Sequence, residues 1–353
     1  MAASSPPDYT FASDNTAGIT PEALAALTAA NCDPTPSYGS DPWTSRAKQL
    51  IADVFERDCA VFFVFNGTAA NALVLSHYCR SYNSILCHDH SHADTDECGA
   101  PEFFTGGSKI LPIAGPHGKL RAADLPPVLA RGEGVHFPKP GALSLTQATE
   151  RGTLYTPDEV RALSDVAHAN GLAVHMDGAR FANAAAALRS RGFSPADFTW
   201  RAGVDALCFG GTKNGMNTTE AVVFFDPAQA RDFEYRVKQG AQLASKQRFA
   251  AAQWCGMLED GAWLRHAAHA NAMAARLAGA LREIPGLVFI AEPEVNGIFV
   301  ELAPAVVAAL RVRGWQFGLF IGANGYRLMT SWATTPEKID AFVADLRAAV
   351  APQ

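Results

Sequence analysis

The chain has no long apolar run, no block of like charge, no paired-cysteine motif and no internal repeat. Each absence excludes something. No stretch approaches the roughly 20 apolar residues that span a bilayer, so no membrane association is expected. Net charge is −6 with the basic residues scattered, which argues against a nucleic-acid surface. The segment Met1-Ala-Ala-Ser-Ser-Pro-Pro-Asp8 lacks a basic n-region and an apolar h-region, so it does not read as a secretory signal. Charged residues make up only 18% against 48% hydrophobic, a balance that favours a sizeable core over disorder. The seven cysteines are odd in number, scattered, and without a CxxC pair. They exclude a disulfide framework and a thiolate zinc site, and fit reduced thiols in a cytoplasmic protein. The length, 353 residues, suffices for one large α/β domain and a smaller one.

What is present centres on Asp205-Ala-Leu-Cys-Phe-Gly-Gly-Thr-Lys-Asn-Gly-Met216. An apolar run, suited to a strand buried on both faces, stops at Gly210-Gly-Thr and delivers Lys213. Gly211 allows a close approach of backbone or ligand. The spacing is not that of a P-loop, which needs a leading glycine four residues before Gly-Lys. By itself this is an ordinary loop lysine. The preceding strand, Leu172-Ala-Val-His-Met-Asp-Gly-Ala-Arg180, ends in the same way, in Asp177 and Arg180. A lysine and a carboxylate at neighbouring strand ends suit pyridoxal 5'-phosphate (PLP), which takes a lysine on its aldehyde and an acid beneath its pyridine nitrogen.

Taken in order, residues 1–11 read as a frayed arm, followed by a helix from Pro21 capped by Thr20. Ala60-Val-Phe-Phe-Val-Phe65 reads as a strand passing through Asn66-Gly67-Thr68 directly into a helix, a geometry that offers free backbone N–H groups to an anion. A strand near Ser84–His88 runs into His90-Ser-His-Ala-Asp-Thr-Asp-Glu97. That cluster lacks the spacing of a helical zinc motif, so no metal is expected, and one imidazole is read as an active-site group. Thr156 and Glu159 form a capping box for a helix over Pro157–Asn170, with Gly171 just past its end. Strands and helices alternate to about residue 225, the pattern of a mostly parallel two-sided sheet. Beyond it lies a long helical run to Leu281 and an α+β segment with strands near 287–290, 297–302 and 326–331. The division expected is 1–30 for arm and first helix, 31–250 for a large PLP-binding domain, and 251–353 for a small C-terminal domain.

Several motifs in this order resemble the PLP-dependent threonine aldolases: Ala12-Ser-Asp-Asn15, Tyr38-Gly-Ser-Asp41, Phe65-Asn-Gly-Thr-Ala-Ala-Asn71, His92 with Glu97 and Gly99, His175-Met-Asp-Gly-Ala-Arg180 and Gly210-Gly-Thr-Lys213. Thr95-Asp-Glu97 and Gly211-Thr-Lys-Asn-Gly215 resemble the low-specificity L-threonine aldolase branch. The resemblance implies the aspartate-aminotransferase fold (fold type I) and a homo-oligomer, often a tetramer built as a dimer of dimers. It implies Lys213 as the Schiff-base lysine, Asp177 under the pyridine nitrogen, Gly67 and Thr68 at the phosphate, and His92 stacked on the ring. Arg180 and Arg327 would grip the substrate carboxylate with Ser13 nearby, and Tyr38 would be an active-site tyrosine. Lys246, with Arg248 second, would reach the phosphate across a subunit boundary.

Two departures stand out. Where many relatives have Glu-Asn-Thr-His, this chain has Thr146-Gln-Ala-Thr149, so a second imidazole is absent and Gln147 or Thr149 is expected at that edge. Asp96 replaces an apolar or aromatic residue. The reaction implied is retro-aldol cleavage of L-threonine, L-allo-threonine and other β-hydroxy-α-amino acids to glycine and an aldehyde, with His92 the expected base and Asp96 the alternative. A β-eliminating lyase, an aminotransferase and a non-catalytic PLP-binding protein are the rival readings.

Overall fold

Ala60-Val-Phe-Phe-Val64 and Ala206-Leu-Cys-Phe-Gly210 carry no charge and few turn formers, and both become strands of one sheet, the first at its edge and the second in its interior. The computed structural model describes residues 10–350 except 33 and 133. Seven strands form the main sheet: β1 (Ala60–Val64), β2 (Asn83–His88), β3 (Lys109–Ile113), β4 (Lys139–Thr146), β5 (Ala173–Gly178), β6 (Ala206–Gly210) and β7 (Glu220–Phe224). Their order is β1-β7-β6-β5-β4-β2-β3. Only β7 runs antiparallel, against both β1 and β6. The chain is thus an α/β protein with a mostly parallel sheet, as the alternation predicts. Central strands β6 and β7 are buried at every position, the condition for a sheet covered on both faces.

Parallel strands end at a common edge, and this is what assembles the site. In register, Thr146 pairs with Asp177, Asp177 with Cys208, and both Gly210 and Val64 with Glu220. The turns that follow β1, β2, β4, β5 and β6 therefore open on one side, together with the first residue of β7. Crevices at the carboxyl ends of such strands are where ligands bind in open α/β sheets.

The turn bearing Lys213 is backed by close packing. A Cβ on Gly211 would lie 2.5 Å from the Thr219 carbonyl oxygen and 3.0 Å from the Trp254 ring. Trp254 is fully buried, donates Nε1–H to Thr219 Oγ1 at 3.0 Å, and meets Phe209 edge to face with centroids 4.8 Å apart. Truncating a core aromatic such as Phe209 costs about 3–5 kcal/mol, so the turn rests on a part of the core that is costly to disturb. Thr20 contributes differently from its expected cap role. Its hydroxyl makes no cap bond to the helix Pro21–Ala30, and instead donates to the Gly215 carbonyl at 3.3 Å, pinning that helix to the turn. The box at Thr156 and Glu159 does form, with N–H···O distances of 3.2 and 2.8 Å.

A second, antiparallel sheet has β8 (Val288–Phe289), β9 (Gly297–Glu301), β10 (Gly318–Ile321) and β11 (Gly325–Met329) in the order β10-β11-β9-β8. β10 is not foreseen in the sequence, because its Leu319 and Phe320 are exposed and show no buried face. The long helical run breaks at Gly261 (φ +65°) into Arg248–Leu258 and Ala262–Arg282. Ala262 and Ala267 pack in the larger core, while Ala274 and Leu281 pack in the smaller one. The two cores change over within this helix, past residue 250. Of the frayed arm expected over residues 1–11, residues 1–9 lie outside the described residues. Phe11 belongs to the smaller core, fully buried against Trp315 and Phe342. Among the described residues no helix is long and apolar enough to cross a membrane.

Candidate active site

Two adjoining clefts lie at the carboxyl edge of the main sheet, and they share Lys213, His92 and Asn15. One, of about 280 Å³, is lined by Gly67, Thr68, Thr212 and Glu220. The other, of about 150 Å³, is lined by Ser13, Asp96, Glu150, Arg180 and Arg327. A more open hollow of about 610 Å³ elsewhere, between Arg80, Tyr82, Phe104 and Arg236, has no carboxylate or imidazole in its lining, and burial pushes the thiol of its Cys79 up to about 12.

Lys213 stands between the two clefts and makes no hydrogen bond or ion pair among the described residues. Burial, then the Arg180 charge, hold its amine below the usual lysine range, with Asp14 and Asp177 opposing. A larger neutral fraction makes it a better nucleophile toward a carbonyl. Asp177 ends β5. Burial alone would raise its pKa, but His92, Lys213 and the Ala179 N–H outweigh that and keep it ionised. Its Oδ1 accepts from Ala179 N at 2.9 Å and its Oδ2 from Asn71 Nδ2 at 2.8 Å. Gly67 and Thr68 open the helix Gly67–Tyr78, which Asn66 caps by accepting from Ala69 N at 2.9 Å. A Cβ on Gly67 would meet nothing within 4 Å. The first N–H groups of that helix face open space, as an anion requires.

His92 Nδ1 lies 2.7 Å from Glu97 Oε1, and Asn71 Nδ2 donates to the same oxygen at 2.8 Å. Asn71 thereby ties Glu97 to Asp177. The Glu97 contact raises the His92 pKa, against the opposing effect of burial. Burial raises the Glu97 carboxyl, with the His92 and Asn71 bonds pulling the other way. Donor atoms of His92, Glu97 and Asp177 lie within 4.8 Å of one another, a spacing the imidazole and the Asn71 amide already bridge. His92 Nε2 is 3.6 Å from Asp96 Oδ2, whose side chain is 84% exposed at the mouth. Glu97, and not Asp96, therefore holds the imidazole at hydrogen-bond distance.

The Arg180 side chain is 15% exposed, and Asp14 holds it in a two-point pair, with Nε–Oδ2 at 2.8 Å and Nη2–Oδ1 at 3.0 Å. Asp14 is itself buried and also accepts from Asn296 Nδ2 at 3.1 Å. Arg327 comes from β11 of the second sheet and stacks over Phe320. Burial and then the Arg180 charge hold its pKa below the usual arginine value. Two guanidiniums that repel each other across a cleft are an anion site, since a carboxylate relieves both.

The structure thus brings together Ser13, Gly67, Thr68, His92, Asp96, Asp177, Arg180, Lys213 and Arg327. Tyr38 and Lys246 line neither cleft. Tyr38 is half exposed beneath the Lys238 ammonium, and Lys246 is exposed. Gln147 and Thr149 also differ from expectation. Gln147 is fully buried, with its amide bonded both ways to the Tyr155 backbone, and Thr149 Oγ1 is 2.7 Å from Thr153 Oγ1. The residue at that edge is Glu150. Asp14, Asn71, Glu97, Glu150 and Glu220 carry no assigned role in the sequence reading. The first three stand inside the motifs quoted for the family, where neighbours of site residues are natural partners. Glu150 follows the strand end at Thr146 by four residues, as Asp177 and Arg180 crowd the end of β5.

The fold and the cleft define a class of α/β enzyme that carries a recessed, unpaired lysine at the carboxyl edge of its sheet. The family model for beta-eliminating lyases matches residues 10–305. A low-specificity L-threonine aldolase of a Pseudomonas species is 51% identical over 96% of this chain and 97% of its own length. One from Pseudomonas aeruginosa is 51% identical over 96% of each chain. A solved structure of Leishmania major threonine aldolase superposes with a TM-score of 0.89 at 29% identity, covering 97% of this chain and 100% of that one. The chain belongs to the beta-eliminating lyase family, in the branch of the low-specificity L-threonine aldolases.

Proposed function

We propose that this chain is a PLP-dependent aldehyde-lyase that splits L-threonine, L-allo-threonine and related β-hydroxy-α-amino acids into glycine and an aldehyde. The observation that carries the reading is the pair of clefts meeting at Lys213. One has the donors for a cofactor and the other has the cations for an amino acid's carboxylate.

The residues fit PLP. An unpaired amine with a depressed pKa suits an aldehyde, the ionised Asp177 suits a pyridinium, and open helix N–H groups at Gly67 and Thr68 suit a phosphate. When bound, the cofactor accepts the electron pair released at the substrate Cα. Lys213 would hold it covalently, and Asp177 would keep its ring nitrogen protonated. Arg180 and Arg327 would fix the substrate carboxylate, with Ser13 beside them, so that the Cα–Cβ bond takes the orientation in which it breaks. His92 would cover the ring and face the β-hydroxyl oxygen as a hydrogen-bond donor, because Glu97 keeps its imidazole charged to higher pH. Asp96 at the mouth would meet the same hydroxyl or a water beside it. Tyr38 and Lys246, outside this chain's own clefts, would serve a neighbouring copy within a homotetramer. All seven cysteines are free, which suits a reducing compartment such as the cytoplasm.

The family's name brings in one other reading, β-elimination. Product analysis separates the two: glycine plus acetaldehyde from threonine, against ammonia plus a keto acid. Borohydride reduction of the yellow holoenzyme should fix the cofactor on Lys213, and Lys213→Ala should abolish both. Cofactor fixed on another lysine, or threonine left intact by the wild type, would refute the assignment.

A further inference from the structure

We propose that Glu150 is the residue that takes the proton from the substrate's β-hydroxyl, the step that starts carbon–carbon cleavage. This rests on the aldolase reading above and assigns a group within the same cleft.

The geometry comes from the turn after β4. Glu150 Oε1 accepts from the His92 backbone N–H at 3.0 Å and from Thr146 Oγ1 at 2.9 Å. Two donors on one oxygen fix the plane of the carboxyl. Oε2 is shielded from solvent and has no hydrogen-bond partner among the described residues. An unpartnered buried oxygen costs about 1–3 kcal/mol, and it is kept here beside the cleft that Glu150 lines with Arg180, Lys213 and Arg327. A substrate hydroxyl would supply the missing donor once the groups that shield Oε2 give way. His92 is less suited to accept that proton, since Glu97 occupies Nδ1 and raises its pKa.

The electrostatics agree. Burial, then the Asp177 charge, push the Glu150 carboxyl up to about 7, with its hydrogen bonds opposing. A base works best when its pKa lies near the operating pH. Arg180 faces it from the turn after β5, and His90, His92 and Asp96 face the cleft from the segment after β2. Lys213 and Arg327 line the same cleft, and Cys87 and Tyr155 are buried groups that feel the Glu150 charge.

The step balances. The Oε2 lone pair takes the hydroxyl proton, and the O–H electron pair becomes the second C–O bond of the departing aldehyde. The Cα–Cβ bond breaks and leaves its electrons with Cα. Cα then takes one proton from the site and Glu150 gives one back, so glycine and aldehyde together hold the substrate's atoms.

The test is Glu150→Gln, which keeps an acceptor for Thr146 and the His92 N–H but cannot take a proton. Expected is a roughly 100- to 10,000-fold loss of kcat/KM for threonine, with glycine affinity within about 2-fold of wild type because glycine has no β-hydroxyl. Glu150→Asp should recover part of the loss. In cofactor-free protein, the infrared carbonyl band of a protonated carboxyl titrating near pH 7 should weaken in E150Q. A variant within about 3-fold of wild type would overturn the proposal, as would turnover and glycine binding lost in parallel, which marks a structural role. Should E150Q fail to fold, the wild-type holoenzyme decides. Its kcat/KM must fall on the acid side of a group near 7 that glycine binding does not show, and a profile without that group overturns the proposal. If the wild type releases no glycine from threonine, the aldolase reading itself fails.

Discussion

Replacing Asp14 by Asn tests whether the two-point hold on Arg180 governs both stability and substrate grip. Asp14 is buried and accepts two N–H groups of Arg180 and one of Asn296, at 2.8, 3.0 and 3.1 Å. Removing one member of a buried ion pair leaves the other charge uncompensated and costs about 3–5 kcal/mol. Asn retains one acceptor oxygen, so the expected loss is near the lower end, about 3 kcal/mol. Arg180 then also loses the hold that aims its remaining N–H groups into the cleft. Loosening one charge-assisted contact to the carboxylate by about 1.5–3 kcal/mol predicts a fall in kcat/KM of roughly 10- to 100-fold, chiefly through KM. Burial alone would raise the Asp14 carboxyl, but Arg180 and Lys213 hold it below its ordinary value of 3.8. A depressed pKa contributes stability in full above 3.8, and that stability is lost as pH falls through the lowered value. The gap between wild type and D14N in urea unfolding should be constant through neutral pH and close only in acid. A variant within about 1 kcal/mol of wild type at neutral pH, with an unchanged KM for threonine, would refute the argument.

Two further outcomes follow from the same edge of the sheet. Burial pushes the Glu220 carboxyl up to about 7, with the Thr212 and Gly211 hydrogen bonds opposing. A raised folded pKa gives stability that is complete below the ordinary value of 4.5 and lost as pH climbs through about 7. Glu220→Gln in cofactor-free protein should therefore gain on wild type across that window, by up to about 3 kcal/mol, and a pH-independent difference in urea midpoints would refute this. Glu97→Gln should lower the His92 pKa, followed by imidazole NMR, and slow threonine cleavage roughly 10-fold or more. An unmoved His92 resonance would show that Glu97 does not set its charge.

The strands around Asp177 and Lys213, the glycine turn, the helix entry at Gly67 and the box at Thr156 and Glu159 were legible in the chain itself. Each depends on neighbours within a few residues: an apolar run, a residue that permits a turn, a side chain that reaches its own backbone. From that local grammar came a mostly parallel sheet and a set of polar residues at strand ends, and parallel strands bring such ends to one edge. The partners those residues would find there were beyond its reach. Asp14 reaches Arg180 across 166 positions, and Asn296 reaches Asp14 across 282. Phe11 is core rather than arm because Trp315 and Phe342 come to it. Gln147 and Thr149 turn inward to Tyr155 and Thr153, which leaves the cleft to Glu150. Tyr38 and Lys246 stay outside the clefts, although the resemblance gave each a role at the site. Such contacts depend on sheet register and on how two cores pack, and a change of one residue in register would send every side chain of a strand to the other face. The sequence by itself determined which chemical groups this protein carries to the end of each strand. Tertiary structure decided which of them share a proton, a charge or an open face.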